Sequence, residues 1–214
     1  MRPLAAKPDL VAQTHDAIRS AIMSGDLAPC APLAQEELAE QLGVSRQPIS
    51  HALVLLKREG LVVDRGRKGQ MVAPIDAEKL LGLYQVRGAL DRLAARLAAE
   101  KRERGLLPLV EKGKVVATKG DLGAIADADI AFHKTLHDLS GNVEISVTAA
   151  GFWPHMARSM RVVLEDRAAW PGIWTEHEAI ALAVAEGDVK QAGDLAARHA
   201  EKAGEATYRR LKDN

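Results

Sequence analysis

Residues 35–72 read QEELAEQLGVSRQPISHALVLLKREGLVVDRGRKGQMV. Leu38 and Leu42 stand four apart, which puts them on one face of a short helix over 35–42, and Gly43 ends it. Ser45 is placed to cap a second helix that runs to about Glu59. Ile49, Ala52, Leu53 and Leu56 form its apolar stripe and Gly60 closes it. The period then changes. Leu61-Val62-Val63 and Gln70-Met71-Val72 flank a glycine-bearing turn, Arg65-Gly66-Arg67-Lys68-Gly69, and read as a β-hairpin. Two short helices joined by Gly43-Val44 and followed by a hairpin make a helix-turn-helix with a wing.

Working outward, Val11, Ile18, Ala21 and Ile22 repeat at helical spacing over residues 9–24, and Gly25 stops that helix. Downstream, VAPIDAEKL marks a seam: Pro74 biases Ala73 away from helix and Asp76 is a good N-cap. Beyond it, six helices are expected near 76–101, 104–119, 121–139, 142–165, 171–186 and 188–212, with Pro154 kinking or splitting the fourth. The fold class is therefore mainly α. A winged helix-turn-helix of three helices and a β-hairpin occupies 1–75, and an all-α bundle of about six helices occupies 76–214.

The 29 basic side chains are balanced by 29 acidic ones, which excludes a protein that coats nucleic acid by bulk charge but not one with a local basic patch. The single cysteine, Cys30, excludes a disulfide scaffold. No apolar run approaches the roughly 20 residues of a membrane span, and the first ten residues, MRPLAAKPDL, lack an apolar signal core. The expectation is a soluble, cytoplasmic protein without a membrane partner.

The positive charge is local. Over 44–68, six basic residues (Arg46, Lys57, Arg58, Arg65, Arg67, Lys68) face only Glu59 and Asp64. A second helix that enters a major groove needs such an edge, with its N-terminal side chains on bases and its amides on phosphates. By spacing alone an ordinary helical pair with a solvated hairpin remains open. The text of the stretch goes further. Its ELAEQLGVSR-x-P core, the Ala52-Leu53 pair, the exit from Leu56 to Gly60-Leu61 and the glycine-bearing wing resemble the DNA-binding domain of the GntR family of bacterial transcription regulators, and the resemblance covers residues 10–75. It implies that Ser45, Arg46, Gln47, Ser50 and His51 meet bases or phosphates of double-stranded operator DNA, and that Arg65, Arg67, Lys68 and Gly69 reach it through the wing. Two departures stand out. Ser50 occupies the position where the family usually has an arginine, which should change operator preference. Cys30 replaces a common glycine after Pro29, so that turn is expected to differ.

A second constellation lies in the helical region. Asp129 and His133 are four apart on one helix face. His177 stands ten residues before the Gly187-Asp188 turn and His199 eleven after it, nearly level in an antiparallel helix pair. Three imidazoles and a carboxylate from three helices suit zinc, nickel, manganese or iron; surface or core histidines without a ligand role remain the alternative on spacing alone. His15, His137 and His155 are given no role. Asp129-Ile-Ala-Phe-His133, Gly141-Asn142, Glu176-His177, Ile180, Ala183, Gly187-Asp188 and Arg198-His199 resemble the FCD ligand-binding domain of the FadR subfamily, in its VanR-type branch. The resemblance implies a divalent metal on Asp129, His133, His177 and His199, zinc foremost, that helps hold a small carboxylate effector. Arg87 matches an arginine common on the first helix of that domain, and Arg158 and Arg161 are weaker candidates that read better as salt-bridge partners.

Three functions compete at this point. One is a homodimeric regulator, more often a repressor in this family, whose operator affinity responds to the effector. Another is a metal-dependent enzyme acting on a small organic acid. The third is a regulator whose metal is purely structural.

Overall fold

The computed structural model describes residues 9–164 and 166–213, without the side chains of 161–163. The chain divides into two compact units, one ending at Ile75 and the other beginning at Asp76.

The N-terminal unit holds α1 (Leu10–Ser24), β1 (Pro32–Leu33), α2 (Gln35–Leu42), α3 (Arg46–Arg58), β2 (Val62–Asp64) and β3 (Gln70–Val72). Asp9 caps α1 by accepting from the amides of Val11 and Ala12, each at 3.1 Å. Ile18 and Ile22, one turn apart on α1, pack with Ile49, Leu53 and Leu56 of α3 in one buried cluster. The expected stripe of α3 is wholly buried, whereas Leu42 of α2 is 38% exposed and the buried pair of that helix is Leu38 and Ala39. Ser45 sits at the N-cap of α3 but its side chain makes no capping hydrogen bond.

The hairpin is antiparallel, with Val62 opposite Val72 and Asp64 opposite Gln70, and its turn contains a single 3₁₀ turn, Gly66–Lys68. The short strand β1, which local periodicity does not reveal, pairs antiparallel with β3 and makes the sheet order β1-β3-β2. The turn before β1 keeps a left-handed residue despite its lack of glycine: Cys30 has φ 66° and its amide donates to the Val72 carbonyl at 3.0 Å. That conformation costs a non-glycine residue about 1 kcal/mol, which the pairing to β3 offsets. The core of this unit is wholly aliphatic, because no Phe, Trp or Tyr occurs before Tyr84.

The C-terminal unit contains α4 (Ala77–Glu100), α5 (Leu107–Lys119), α6 (Leu122–Leu139), α7 (Val143–Ala149), α8 (Trp153–Val163), α9 (Trp170–Glu186) and α10 (Val189–Lys212). Among the described residues its seven α-helices exceed the expected six because the fourth is split. Pro154 lies in the first turn of α8, where a missing N–H leaves no bond unmade, so the break falls just before it. Aspartates 76, 121 and 188 cap α4, α6 and α10.

The helices α4 and α10 run antiparallel along a seam of small residues. Gly88 faces Ala197 and Ala200, and a Cβ at Gly204 would lie 2.7 Å from the Tyr84 Cβ, so the two backbones approach too closely for anything larger. Gly113 of α5 does the same for an aromatic: a Cβ there would lie 2.0 Å from the Trp174 ring. This packing locks α4, α9 and α10 around the inward face of α6, which carries the polar residues considered next.

Candidate functional site

On α6, Asp129 and His133 face inward from adjacent turns. His177 of α9 and His199 of α10 meet them, and one donor atom from each of the four lies within 4.8 Å of the others. All four are buried. Nε2 of His177 is 3.1 Å from Nε2 of His133 and 3.4 Å from Oδ1 of Asp129, and His133 Nε2 is 3.9 Å from Oδ2 of Asp129. Donors around a tetrahedral zinc stand about 3.3 Å apart, so the set needs little adjustment to close on an ion. Phe132 and Trp174 lie against the His177 ring, at centroid separations of 4.3 and 4.7 Å, and close the site to water from that side.

The charge states suit a cation. Burial, with the Arg87 charge second, pushes His133 down to about 4. Burial together with its two histidine neighbours holds His177 well below the ordinary imidazole value. Both rings are therefore neutral at pH 7, the form that binds a metal. The Nδ1 of His177 is buried without a hydrogen-bond partner. Three imidazoles and one carboxylate fit a borderline divalent ion. When bound, such an ion supplies a positive charge and open positions for an anion.

Behind these four lie residues with no counterpart in the expected site. Asp91 of α4 is fully buried; its Oδ2 accepts from Arg87 Nε at 3.0 Å and its Oδ1 pairs with His137 Nε2 at 2.6 Å. The same Oδ2 is 3.2 Å from His133 Nδ1, off the line of a good hydrogen bond. Burial alone would raise the Asp91 pKa, but Arg87 and then His133 carry it well below the usual carboxylate range. His137, given no role from its spacing, is thus a partner of Asp91. Glu176 accepts from His199 Nδ1 at 2.8 Å and from Lys202 Nζ at 2.6 Å, and these bonds, that of His199 above all, bring its carboxyl down to about 2. Glu176 thereby orients the His199 ring of the cluster, while Asp91 holds Arg87 and His137 behind it. The readable signal for Asp91 was its spacing, four residues after Arg87 and so on one helix face. Glu176 carried only its place beside His177.

Arg87 is 1% exposed, and its Nη2 lies 2.5 Å from His133 Nε2. Burial alone would lower its pKa; Asp91 and Asp129 more than offset this and raise it. A cation on His133 Nε2 competes with Arg87 for the same lone pair, so its arrival frees an arginine donor beside it. Arg87, Asp129 and His199 together line one end of a cavity of about 300 Å³. Arg158 is buried on α8 and is not among the described residues that line this cavity. The side chain of Arg161 lies outside the described residues.

In the N-terminal unit, Ser45, Arg46, Gln47 and His51 are exposed at the start of α3, and Ser50 is half-buried. In the wing, Arg65, Arg67, Lys68 and Gly69 are exposed. Arg46 and Glu36 line one groove with Lys68 and Gly69, so the start of α3 and the wing border the same space. Arg46 donates to Glu36 at 3.0 Å, an exposed pair of the kind worth under about 1 kcal/mol. It breaks easily when a stronger anion arrives. His15 contributes to packing through a 2.6 Å bond to Glu59, which anchors α1 to the end of α3.

A winged helix-turn-helix with exposed basic side chains, joined to a helical unit with a partly open cavity, is the architecture of a DNA-binding transcription regulator. Residues 10–72 match the bacterial regulatory proteins of the gntR family, and residues 82–202 match the FCD domain. The chain belongs to the gntR family, with an FCD domain that fits the FadR subfamily. It is 33% identical over 181 residues to an HTH-type transcriptional regulator in an unstable DNA locus of Streptomyces ambofaciens, spanning 80% of this chain and 74% of that protein. It is 31% identical over 139 residues to a probable D-xylose utilization operon transcriptional repressor of Paenarthrobacter nicotinovorans, spanning 64% and 62%. Its fold matches a solved GntR structure from Rhodococcus sp. RHA1 with a TM-score of 0.81 at 22% identity, covering 95% of this chain and 98% of that one. These relatives are regulators, not enzymes, which settles the choice against the metal-dependent enzyme. No helix among the described residues is long and apolar enough to cross a membrane.

Proposed function

We propose that the protein is a cytoplasmic, homodimeric repressor whose operator affinity is set by a small carboxylate effector bound beside a divalent metal, zinc foremost. The observation that carries this reading is the cluster of Asp129, His133, His177 and His199 opening with Arg87 onto one cavity. A metal held there leaves positions for a carboxylate, and an arginine grips a carboxylate with two parallel hydrogen bonds. Arg46, Gln47, Ser50 and His51 then read the major groove from Ser45 onward, and Arg65, Arg67 and Lys68 hold the backbone, with Gly69 shaping the wing. The repressing sign follows the repressor among its relatives. Dimerisation is supported by Val86 and Leu93, 48% and 42% exposed at i and i+7 on α4. A dimer sets two recognition helices about 34 Å apart on a pseudo-palindrome. The Arg87-bearing helix starts at the first residues of its unit, so a shift of α4 on effector binding is passed directly to the chain leading from α3 and the wing.

The test is operator binding by fluorescence anisotropy on DNA from the protein's own promoter region, with and without zinc and carboxylates. His177→Ala and His199→Ala proteins should fold and bind operator yet no longer respond. If they respond as the parent does, the sensing role fails. If they only melt at lower temperature while the parent itself shows no response, the metal is structural.

A further inference from the structure

The walls of the cavity say what the body of the effector is made of. Arg87 and the cluster residues Asp129 and His199 supply the polar groups that would meet an acid head. Met160 and Leu164, Ile173 of α9, and Ala203 and Ala206 of α10 make the rest largely aliphatic. The other polar side chains there are already engaged, the Tyr84 hydroxyl with Thr207 and Ser159 among them. Lys202 and Glu176 are paired at 2.6 Å, Glu176 also holds His199, and the Thr207 hydroxyl donates to the Ala203 carbonyl at 2.7 Å. Among the described residues, a second anionic group on a ligand would therefore meet hydrocarbon, where an unpaired charge is costly, or take Lys202 from Glu176, the carboxylate that also orients His199.

Resting on the reading above of a carboxylate at the metal, we infer that the effector is an amphipathic monocarboxylate: one acid head with an aliphatic or aromatic body, not a dicarboxylate or a polyhydroxylated acid. A space of about 300 Å³ packed at protein density takes a molecule of roughly ten to fifteen non-hydrogen atoms. The head lies at the metal ligands and Arg87, and the body extends between α8, α9 and α10. Each methylene of the body leaves water for aliphatic surface, which strengthens binding about fourfold per carbon until the cavity is full.

The experiment is calorimetric titration of the zinc-loaded, full-length protein with acetate, butanoate, hexanoate, octanoate and decanoate, with succinate and suberate, and with octan-1-ol. Kd should fall about fourfold per added carbon from butanoate to octanoate. Suberate and octan-1-ol should each bind at least about tenfold more weakly than octanoate, since one strands a charge and the other lacks the head. Ala203→Leu, which narrows the cavity, should flatten the series; Ala206→Leu, at an exposed position of α10, is the second such variant. A series that is flat in the parent protein, or suberate binding more tightly than octanoate, overturns the inference while metal-dependent binding of the short acids leaves the parent reading intact. Carboxylates that fail to bind at all, or that bind equally well after the zinc is chelated, overturn the metal-bound carboxylate itself.

Discussion

At the start of α3, Arg46, Gln47 and His51 stand in solvent, and the ion pair of Arg46 with Glu36 is exposed on both sides. In the C-terminal unit, Arg87, Asp91, His133 and His177 are at most 1% exposed and their charges answer to one another. Both regions use basic and polar side chains, but they are stabilised in opposite ways. A DNA-facing residue must be free to exchange water for phosphate or base, so the fold has little stake in it. A residue beside a buried ion has lost its water already, so every lone pair there needs a partner and the network reaches two residues deep. Function at the first surface should be separable from stability; at the second it should not.

The sharpest test of that contrast is Asp91→Ala. Removing this carboxylate leaves the Arg87 charge and two histidines without their shared partner, and unfolding free energy should drop by about 3–5 kcal/mol in urea denaturation. A loss under 1 kcal/mol would break the comparison. Chelating the metal is next. With metal held at a thousand times its Kd, its removal should cost about 4 kcal/mol of stability, read as a fall in the melting temperature of the C-terminal unit alone. At the other surface, Arg46→Ala should weaken operator binding by about 1–3 kcal/mol, or about five- to 150-fold, while changing stability by less than about 0.5 kcal/mol. The smallest effect belongs to a residue that touches neither site. Cys30→Gly relieves a left-handed turn and should stabilise the N-terminal unit by about 0.5–1 kcal/mol with operator affinity unchanged.

The same contrast explains what was legible in the sequence. The helix-turn-helix and its apolar stripe follow from local spacing, as do the pairing of Asp129 with His133 and the level of His177 with His199 across the Gly187-Asp188 turn, whereas the meeting of the two pairs came from the family resemblance. The layer behind them did not follow. Asp91 meets His137 across 46 residues and Glu176 meets His199 across 23, and the one local hint, Asp91 four residues after Arg87, is equally that of a solvated pair. Strand β1 was missed for a related reason: two residues, Pro32 and Leu33, carry no period and gain their strand character only from β3. Leu42 shows the converse. Spacing put it on the buried face, but it lies in the last turn of a short helix, past the reach of the core.

The absence of any aromatic residue before Tyr84 has a practical optical meaning. All three tryptophans lie in α8 and α9, with Trp153 at 6.4 Å from the His133 ring and Trp174 at 4.7 Å from that of His177. Excitation near 295 nm is absorbed mainly by indole, so intrinsic emission of the whole protein comes from the C-terminal unit and the N-terminal unit is dark. Quenching or spectral shift on adding metal or acid is therefore a direct signal of the cavity, with no background from the other unit. A single tryptophan introduced into the aliphatic N-terminal core, in a protein whose three native tryptophans are replaced by phenylalanine, would report the unfolding of that unit alone.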